Sequence, residues 1–367
     1  MRTRDRGVAL ILALLVLVIL VVVILQMTAS SLHNRTVADN HLADLQNAYG
    51  ARAGYTRALL YLQADLDQKP EVDSLQERWA APIDFDLGRA QVRVTIVDAE
   101  RLLNLSQLVN DKGEQNPVVC AQLRRLVKVL RHTPDMADRI IDYIDGDNKG
   151  EFESKAKNDR LYNLEELLRV DGLPAEVIYG GIVSGEERKG LREFLTIWPR
   201  TTPEGNGTTA GMVNINTASS EVLQSLSDQM APGLADAIVA YRTQPGPDGK
   251  PQQFEKADDL KRVQGMSDGL FNDLAGKVTV KSSTFEIRCR GTVGKVEKTW
   301  VYVVQRKGGT APGAATTTGT PPAPTPPPPS GTAAPATGAP AAGATLTLIG
   351  SQMLNDFASI KPPDVQR

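Results

Sequence analysis

The feature that most constrains this chain is an unbroken apolar run over residues 8–25, preceded by MRTRDRG and followed by the polar Gln26. As a helix rising about 1.5 Å per residue, the run spans about 27 Å, close to the hydrocarbon thickness of a bilayer. Arg2, Arg4 and Arg6 precede it and no charge falls within it. The positive-inside rule therefore places the N-terminus in the cytoplasm and predicts that everything after residue 30 is exported. A secretory signal has a shorter apolar core, about 7 to 15 residues, closed by a small-residue cleavage site. Here the run is longer, and no helix break follows it.

Leu32, Val37, Leu42, Leu45, Ala48, Ala51, Tyr55, Ala58, Leu59 and Leu62 recur at helical spacings with polar residues between them. The pattern predicts that the membrane segment continues as a soluble amphipathic helix to about residue 66. A short basic leader, Gly7, an apolar stretch and a long continuing helix together resemble the class III signal of type IV pilins and of the pseudopilins of type II secretion. The resemblance implies cleavage by a membrane-embedded prepilin peptidase between Gly7 and Val8, methylation of the new N-terminus, and a single-pass anchor in the inner membrane with the body in the periplasm. Most members carry Glu at mature position five, where its carboxylate neutralises the α-amino group of a neighbouring subunit, since a buried charge is tolerated only when paired. Leu12 stands there in this chain. Lacking that Glu is the mark of the K-type minor pseudopilin, which sits at the fibre tip with no subunit above it. A plain single-span anchor or an uncleaved signal would present the same run, so the body has to decide.

The chain is 41% hydrophobic and 23% charged, proportions that suit a globular body of two or three domains at this length. A net charge of −2 gives no general reason to expect nucleic acid as a partner. Cys120 and Cys289 are the only cysteines, which rules out a Cys-rich metal cluster or a disulfide framework. In an oxidising compartment they have the option of one disulfide, for which the sequence does not set the distance.

Val92, Val94 and Ile96 alternate with Arg93, Thr95 and Val97, predicting a strand with one buried face. The segment from about residue 134 to 275 reads as helices joined by short polar loops, with Asn216 and Thr217 as capping candidates for one of them. STFEIRCRGTVGKVEKTWVYVVQR then gives two strands around a glycine turn. This is an α+β layout, a small antiparallel sheet interrupted by a large helical insertion. The predicted divisions are 1–7 leader, 8–66 membrane segment and long helix, 67–108 first part of the sheet, 109–205 and 206–275 inserted helical subdomains, and 276–306 closing strands. Residues 307–345 are Pro, Ala, Thr and Gly with almost no charge or large apolar side chains, a composition expected to stay disordered. Within 346–367, Leu346, Leu348 and Ile349 form an apolar cluster with the option of adding a strand to this protein or to a partner.

IDYIDGDNKGEFESKAKND gathers Asp142, Asp145, Asp147, Glu151, Glu153 and Asp159. Calcium takes about six to eight oxygens from flexible acidic loops, and a DxD pair followed by Gly belongs to that chemistry. As an EF-hand the segment fails, because loop positions five and twelve are Lys149 and Ala156. A solvated acidic turn is the plain alternative.

Residues 213–223, VNINTASSEVL, with PGLADAIVAYR and FEKADDLKRVQGMS, resemble the helix-hairpin-helix module of DNA-uptake and repair proteins, whose hairpins offer backbone N–H groups to phosphates. The hairpins here, at Gly233 and Gly265, each lack the second glycine, and Asp236 and Asp268 sit beside them. Carboxylates there repel phosphate, so the module is read as structural, with a membrane-anchored DNA receptor as the rival. His33, His41 and His132 lie in no recognisable nucleophile context, and no phosphate loop or HExxH is present. The chain is accordingly not read as an enzyme.

The order of the RGVALILALLVL leader, the DYIDGD turn, NLEELLRVDGL, FLTIWP, VNINTASSEVL and the closing strands resembles the general secretion pathway protein K family over residues 1–306. The resemblance implies a pilin-like fold and a tip complex with the I-type and J-type minor pseudopilins that initiates and caps a pseudopilus of major pseudopilin. It also implies calcium at the acidic turn, where the family's DWID-x-D corresponds to Asp142, Tyr143, Ile144, Asp145 and Asp147. The expected ligand set is Asp142, Asp145, Asp147, Glu151 and Glu153, and because the family's longer insertion is shortened to KGEFES, the number of ions stays open. A membrane-anchored scaffold binding partners through the Pro-rich tail is a further alternative.

Overall fold

The computed structural model describes residues 4–68, 71–110, 112–147, 149–183, 185–200, 211–246, 249, 251–307 and 345–354. Helix α1 (Arg4–Gln68) runs unbroken for 65 residues and includes Gly7 and Val8. Its first half exposes every large side chain from Leu10 to Leu25. Among the described residues it is the one helix long and apolar enough to cross a membrane. Its second half buries Ala43, Ala51, Ala58, Leu62 and Leu66, one narrow face of small and then larger residues.

That face lies on a five-stranded antiparallel sheet. Strand β1 (Ile83–Leu87) pairs with β2 (Ala90–Asp98), whose Ala90, Val92, Val94 and Ile96 turn inward as the alternation predicts. After β2 the chain leaves the sheet for β3 (Leu103–Asn104), α2 (Pro117–Val129), α3 (Asp135–Ile144), α4 (Ala175–Tyr179), β4 (Gly180–Val183), β5 (Glu186–Lys189) and β6 (Leu195–Thr196). A second helical unit follows: β7 (Val213–Asn214), α5 (Ser220–Ser225), α6 (Pro232–Thr243), α7 (Asp268–Leu274) and β8 (Val278–Thr279). The chain then returns as β9 (Thr284–Val293), β10 (Val296–Lys307) and β11 (Thr345–Leu354), completing the order β1-β2-β9-β10-β11.

Two-residue parallel pairings close each helical unit at its neck, β3 on β6 and β7 on β8. The insertion has its own core, running from Leu103 to Val278, separate from the core between α1 and the sheet. Several expected helices are shorter than their patterns suggest. Residues 164–169 and 257–262 are single 3-10 stretches, and residues 180–183 pair antiparallel with 186–189 where helix and loop were expected.

Helix and sheet approach closely because glycines face the strands. A Cβ on Gly50 would lie 2.7 Å from Val92 Cγ2, and one on Gly54 would lie 2.7 Å from Val94 Cγ2 and 3.2 Å from Cys289 Sγ. Cys289 thus belongs to the sheet core, whereas Cys120 on α2 belongs to the core of the insertion. Both are free thiols, and burial pushes them up to about 12 and about 11 respectively. The optional disulfide of the sequence is absent, because its two cysteines serve different cores.

The neck joining insertion to sheet is a network of buried polar groups. Asp98, at the end of β2, accepts from Thr217 Oγ1 at 2.5 Å, Ser282 Oγ at 2.7 Å, Asn214 Nδ2 at 3.2 Å and the Glu100 backbone at 2.8 Å. Asn216 exchanges two 2.9 Å bonds with the backbone of Phe254. Asn216 and Thr217 are therefore ties and not caps; the cap of α5 is Ser219, which accepts from Val222 N. Asp65, Asp73 and Glu77 gather at the foot of α1, where Arg306 of β10 pairs with both Asp65 and Asp73.

The leader residues 1–3, the tail 308–344 read as disordered, and residues 355–367 lie outside the described residues. The apolar cluster at 346–349 does form a strand, β11, and it joins this protein's own sheet.

Candidate functional site

The acidic turn is built where α3 ends. Asp142 lies in the last helical turn and Asp145 caps it, both buried because the side of α3 bearing Ile141 and Ile144 packs into the insertion's core. The chain then doubles back, and a 3-10 turn at Glu153–Lys155 returns Glu153 to them. Carboxylate oxygens of Asp142, Asp145 and Glu153 all lie within 4.8 Å of one another. The return is tight: Phe152 N donates to Asp142 Oδ2 at 3.0 Å, and a Cβ on Gly150 would sit 2.2 Å from that same oxygen. A glycine is the residue that leaves room for the carboxylate.

A second segment fixes the turn from outside. Gln115 Nε2 donates to Asp145 Oδ2 at 2.6 Å, and Gly146 N donates to Gly113 O at 2.9 Å. Asp145 Oδ1 and both oxygens of Glu153 are buried and accept from no donor. Burial raises the pKa of Asp145 and of Glu153, and the neighbouring carboxylates raise both further. Unpartnered buried acceptors are costly, by about 1–3 kcal/mol each and more when charged. Three oxygens aimed into one acidic cluster, with no His or Cys in it, are the donor set of a hard cation such as calcium.

Of the sequence-predicted ligands, Asp142, Asp145 and Glu153 converge and two do not join them. Asp147 caps the backbone N–H of Lys149 at 2.9 Å, and Glu151 is exposed. Asp159 likewise turns to its own backbone, accepting from Arg160 N at 2.7 Å. Gln115, which orients Asp145 from a loop before α2, is the residue the sequence reading missed.

Among the described residues, several cations at and beside the helical hairpins of the second unit are engaged. Arg242 is buried and donates to the carbonyls of Ile215 and Ala218 at 2.6 and 2.7 Å, and burial lowers its pKa to about 10. Lys277 pairs with Asp273 at 2.8 Å, Arg262 with Asp259 at 3.1 Å, and Arg125 of α2 with Asp228 at 2.7 Å. Beside the first hairpin, Asp236 accepts from Ser220 Oγ at 2.6 Å. At α1, Leu12 presents an apolar side chain that is 59% exposed, at the position where the resemblance expects a carboxylate.

Residues 209–279 match the helix-hairpin-helix motif family. The chain is 31% identical over 107 residues to ComE operon protein 1 of Bacillus subtilis, a match that covers 29% of this chain and about half, 49%, of that protein. Over most of its length the chain has the fold of a solved chain in the crystal structure of the GspK–GspI–GspJ complex from the enterotoxigenic Escherichia coli type 2 secretion system. That likeness covers 88% of this chain and 99% of the other, with a TM-score of 0.58 at 19% identity. It shows the architecture: a long N-terminal helix on a small antiparallel sheet with a helical insertion.

Proposed function

We propose that this chain is a K-type minor pseudopilin of type II secretion. In this reading α1 anchors it once in the inner membrane with its body in the periplasm, and the prepilin peptidase cuts between Gly7 and Val8 and methylates the new N-terminus. It then joins the I-type and J-type minor pseudopilins to start the pseudopilus of major pseudopilin and to cap it. The observation that carries the reading is the fold likeness, spanning nearly the whole of a chain solved in a GspK–GspI–GspJ complex. The chain catalyses nothing and is itself the substrate of the peptidase. Leu12 supports a tip position, because no carboxylate is offered there to the amino terminus of another subunit, and a wide helical insertion suits a subunit with nothing stacked above it.

Calcium belongs to the same reading. Asp142, Asp145 and Glu153 would hold the ion, which would supply the positive charge that their clustered carboxylates lack. Binding there would rigidify the turn after α3.

The test is intact mass and N-terminal sequencing of the membrane-extracted protein, with and without co-expressed prepilin peptidase. A chain beginning at Val8 only when the peptidase is present, and no processing of Gly7→Ala, is expected. A chain that begins at Met1 under both conditions sinks the assignment.

The motif match and the ComE operon protein 1 likeness favour a second reading, a membrane-anchored helix-hairpin-helix protein that binds DNA. The engaged cations and the acidic residues beside the hairpins weigh against it, since affinity for phosphates comes from free Lys and Arg. Retardation of a duplex at about 0.15 M salt, lost on Lys277→Ala, would restore it.

A further inference from the structure

The chain passes between sheet and insertion twice, and the two passages meet. It leaves from the end of β2 through a 3-10 turn at Ala99–Arg101, and it returns through Ser282 and Ser283 into β9. Asp98 and Glu100, both buried, stand two residues apart on the way out. The returning segment bonds to each of them. Ser282 Oγ donates to Asp98 Oδ2 at 2.7 Å, Ser283 donates to Glu100 Oε1 from N at 3.0 Å and from Oγ at 2.6 Å, and Thr284 N donates to Glu100 Oε2 at 3.1 Å. With Thr217 and Asn214 of the second helical unit also on Asp98, one pair of carboxyls ties β2, β9 and the insertion together.

The two carboxyls also hydrogen-bond to each other. Ionised carboxylates are acceptors only, so a bond between them requires a proton in the pair. The surroundings agree with one charge and not two. Arg101, on the same turn, faces Asp98, and Asp73, on the segment after α1, faces it with a like charge. Beyond them, Arg288 of β9 is engaged by Glu286, Arg242 of α6 by backbone carbonyls, and Arg306 of β10 by Asp65 and Asp73. Two anions side by side in a buried site repel, and the pair keeps a proton to avoid it.

We propose that Asp98 and Glu100 form a proton-sharing latch: with one proton between them they hold the insertion to the sheet, and loss of that proton opens the neck while the sheet stays folded. Burial raises the pKa of both, and the charge of Asp98 raises Glu100 further, to about 8, against about 4.3 for an exposed Glu. The closed neck thus keeps a proton that the opened neck gives up. Closure is fully stabilised below about pH 4.3 and weakens as pH rises through about 8. The opening is local because the insertion and the sheet have separate cores, and β2 stays paired with β9 from Gln91 onward. Glu77 also titrates near 8, but its carboxyl bonds to Ser74 and Trp79 on its own segment. The latch is independent of whether the chain is a tip subunit.

The test is hydrogen exchange of the detergent-solubilised full chain at about pH 6 and about pH 9, read by mass spectrometry and corrected for intrinsic exchange. Peptides covering residues 98–104, 211–217 and 280–284 are expected to lose protection at least about tenfold at the higher pH. Those covering 51–62 of α1 and 287–301 of the sheet are expected to keep theirs. Glu100→Gln, whose amide is a permanent donor toward Asp98, is expected to bring the ratio to within about twofold, and Glu77→Gln to leave it in place. Because that amide also faces Thr284 N and costs stability, infrared titration gives a second reading that does not need the variant to fold. The Glu77→Gln chain is expected to show a protonated carboxyl band at about pH 7 that is lost by about pH 9. Equal protection of the neck at both pH values overturns the proposal, as does a loss spread evenly over α1 and the sheet. A folded Glu100→Gln chain that keeps the full ratio, or a Glu77→Gln chain with no such band, overturns it too. None of these outcomes bears on processing at Gly7.

Discussion

Gln115 Nε2 donates to Asp145 Oδ2 at 2.6 Å and leaves Asp145 Oδ1 buried without a donor, in the same cluster as the two unpartnered oxygens of Glu153. One oxygen is fixed by the protein and the other is left for something else. Left unpartnered, these acceptors cost stability, and a cation bound among them would offset that cost.

The first prediction follows. At about 100 times its dissociation constant, calcium adds about 2.7 kcal/mol, which for a body of this size raises the melting temperature by roughly 5–10 °C. A chelator reverses the rise, and Glu153→Gln removes it while raising the metal-free melt, since it takes an unpartnered charge out of the acidic cluster. Differential scanning calorimetry in calcium and in EGTA makes the comparison, and a melt indifferent to calcium rules the site out.

Glu77 controls a pH dependence. Burial, with Asp65 and Asp73 beside it, pushes its pKa up to about 8, against about 4.3 in the unfolded chain. The folded state therefore holds a proton that the unfolded state has lost between those values. Stability from this group is fully present below about pH 4.3 and falls as pH rises through about 8. The melting temperature is expected to drop across that window, and Glu77→Gln, which retains an acceptor for Trp79 Nε1, is expected to make the drop smaller, leaving the part due to Glu100, which burial also pushes up to about 8.

Gly54→Ala should have the opposite sign from its usual effect. In an open helix the change gains about 1 kcal/mol. Here the new methyl would stand 2.7 Å from Val94 Cγ2 and 3.2 Å from Cys289 Sγ, and overpacking of this kind costs about 1–3 kcal/mol. A lowered urea midpoint is expected; a raised one would mean that helix and sheet are not in this contact.

Asp98→Ala removes the acceptor shared by Thr217, Ser282 and Asn214. Leaving a buried neutral donor unpaired costs about 1–3 kcal/mol. Because all three donors belong to the neck, limited proteolysis is expected to cut first near residues 211 and 280, releasing the second helical unit before the sheet is attacked.

The parts visible in the sequence were those with periodic signals. The apolar run, the helix beyond it, β2 and the β9–β10 hairpin all declare themselves by spacing. β1 also alternates, Ile83, Phe85 and Leu87 against Asp84 and Asp86, but Pro82 and Gly88 hold it to five residues, too few for a strong periodic signal. The acidic site was half legible. Asp142 and Asp145 share a helix end and announce each other, whereas Glu153 joins them only because Gly150 lets the chain pass so close, and Gln115 arrives from 30 residues away. No local pattern encodes such a meeting. The same holds for Asn214, whose bond to Asp98 crosses 116 residues, and for the two cysteines, whose separation into different cores only packing decides.

Arg306 reaches Asp65 across 241 residues and Asp73 across 233, with its guanidinium 4.4 Å over the ring of Phe285. The foot of the first helix therefore acquires a counter-ion from the end of β10. A nascent chain lacks this guanidinium until β10 has emerged, so the contact closes late. The arginine acts as a clasp: both helical units must already be threaded between β2 and β9 before it can shut.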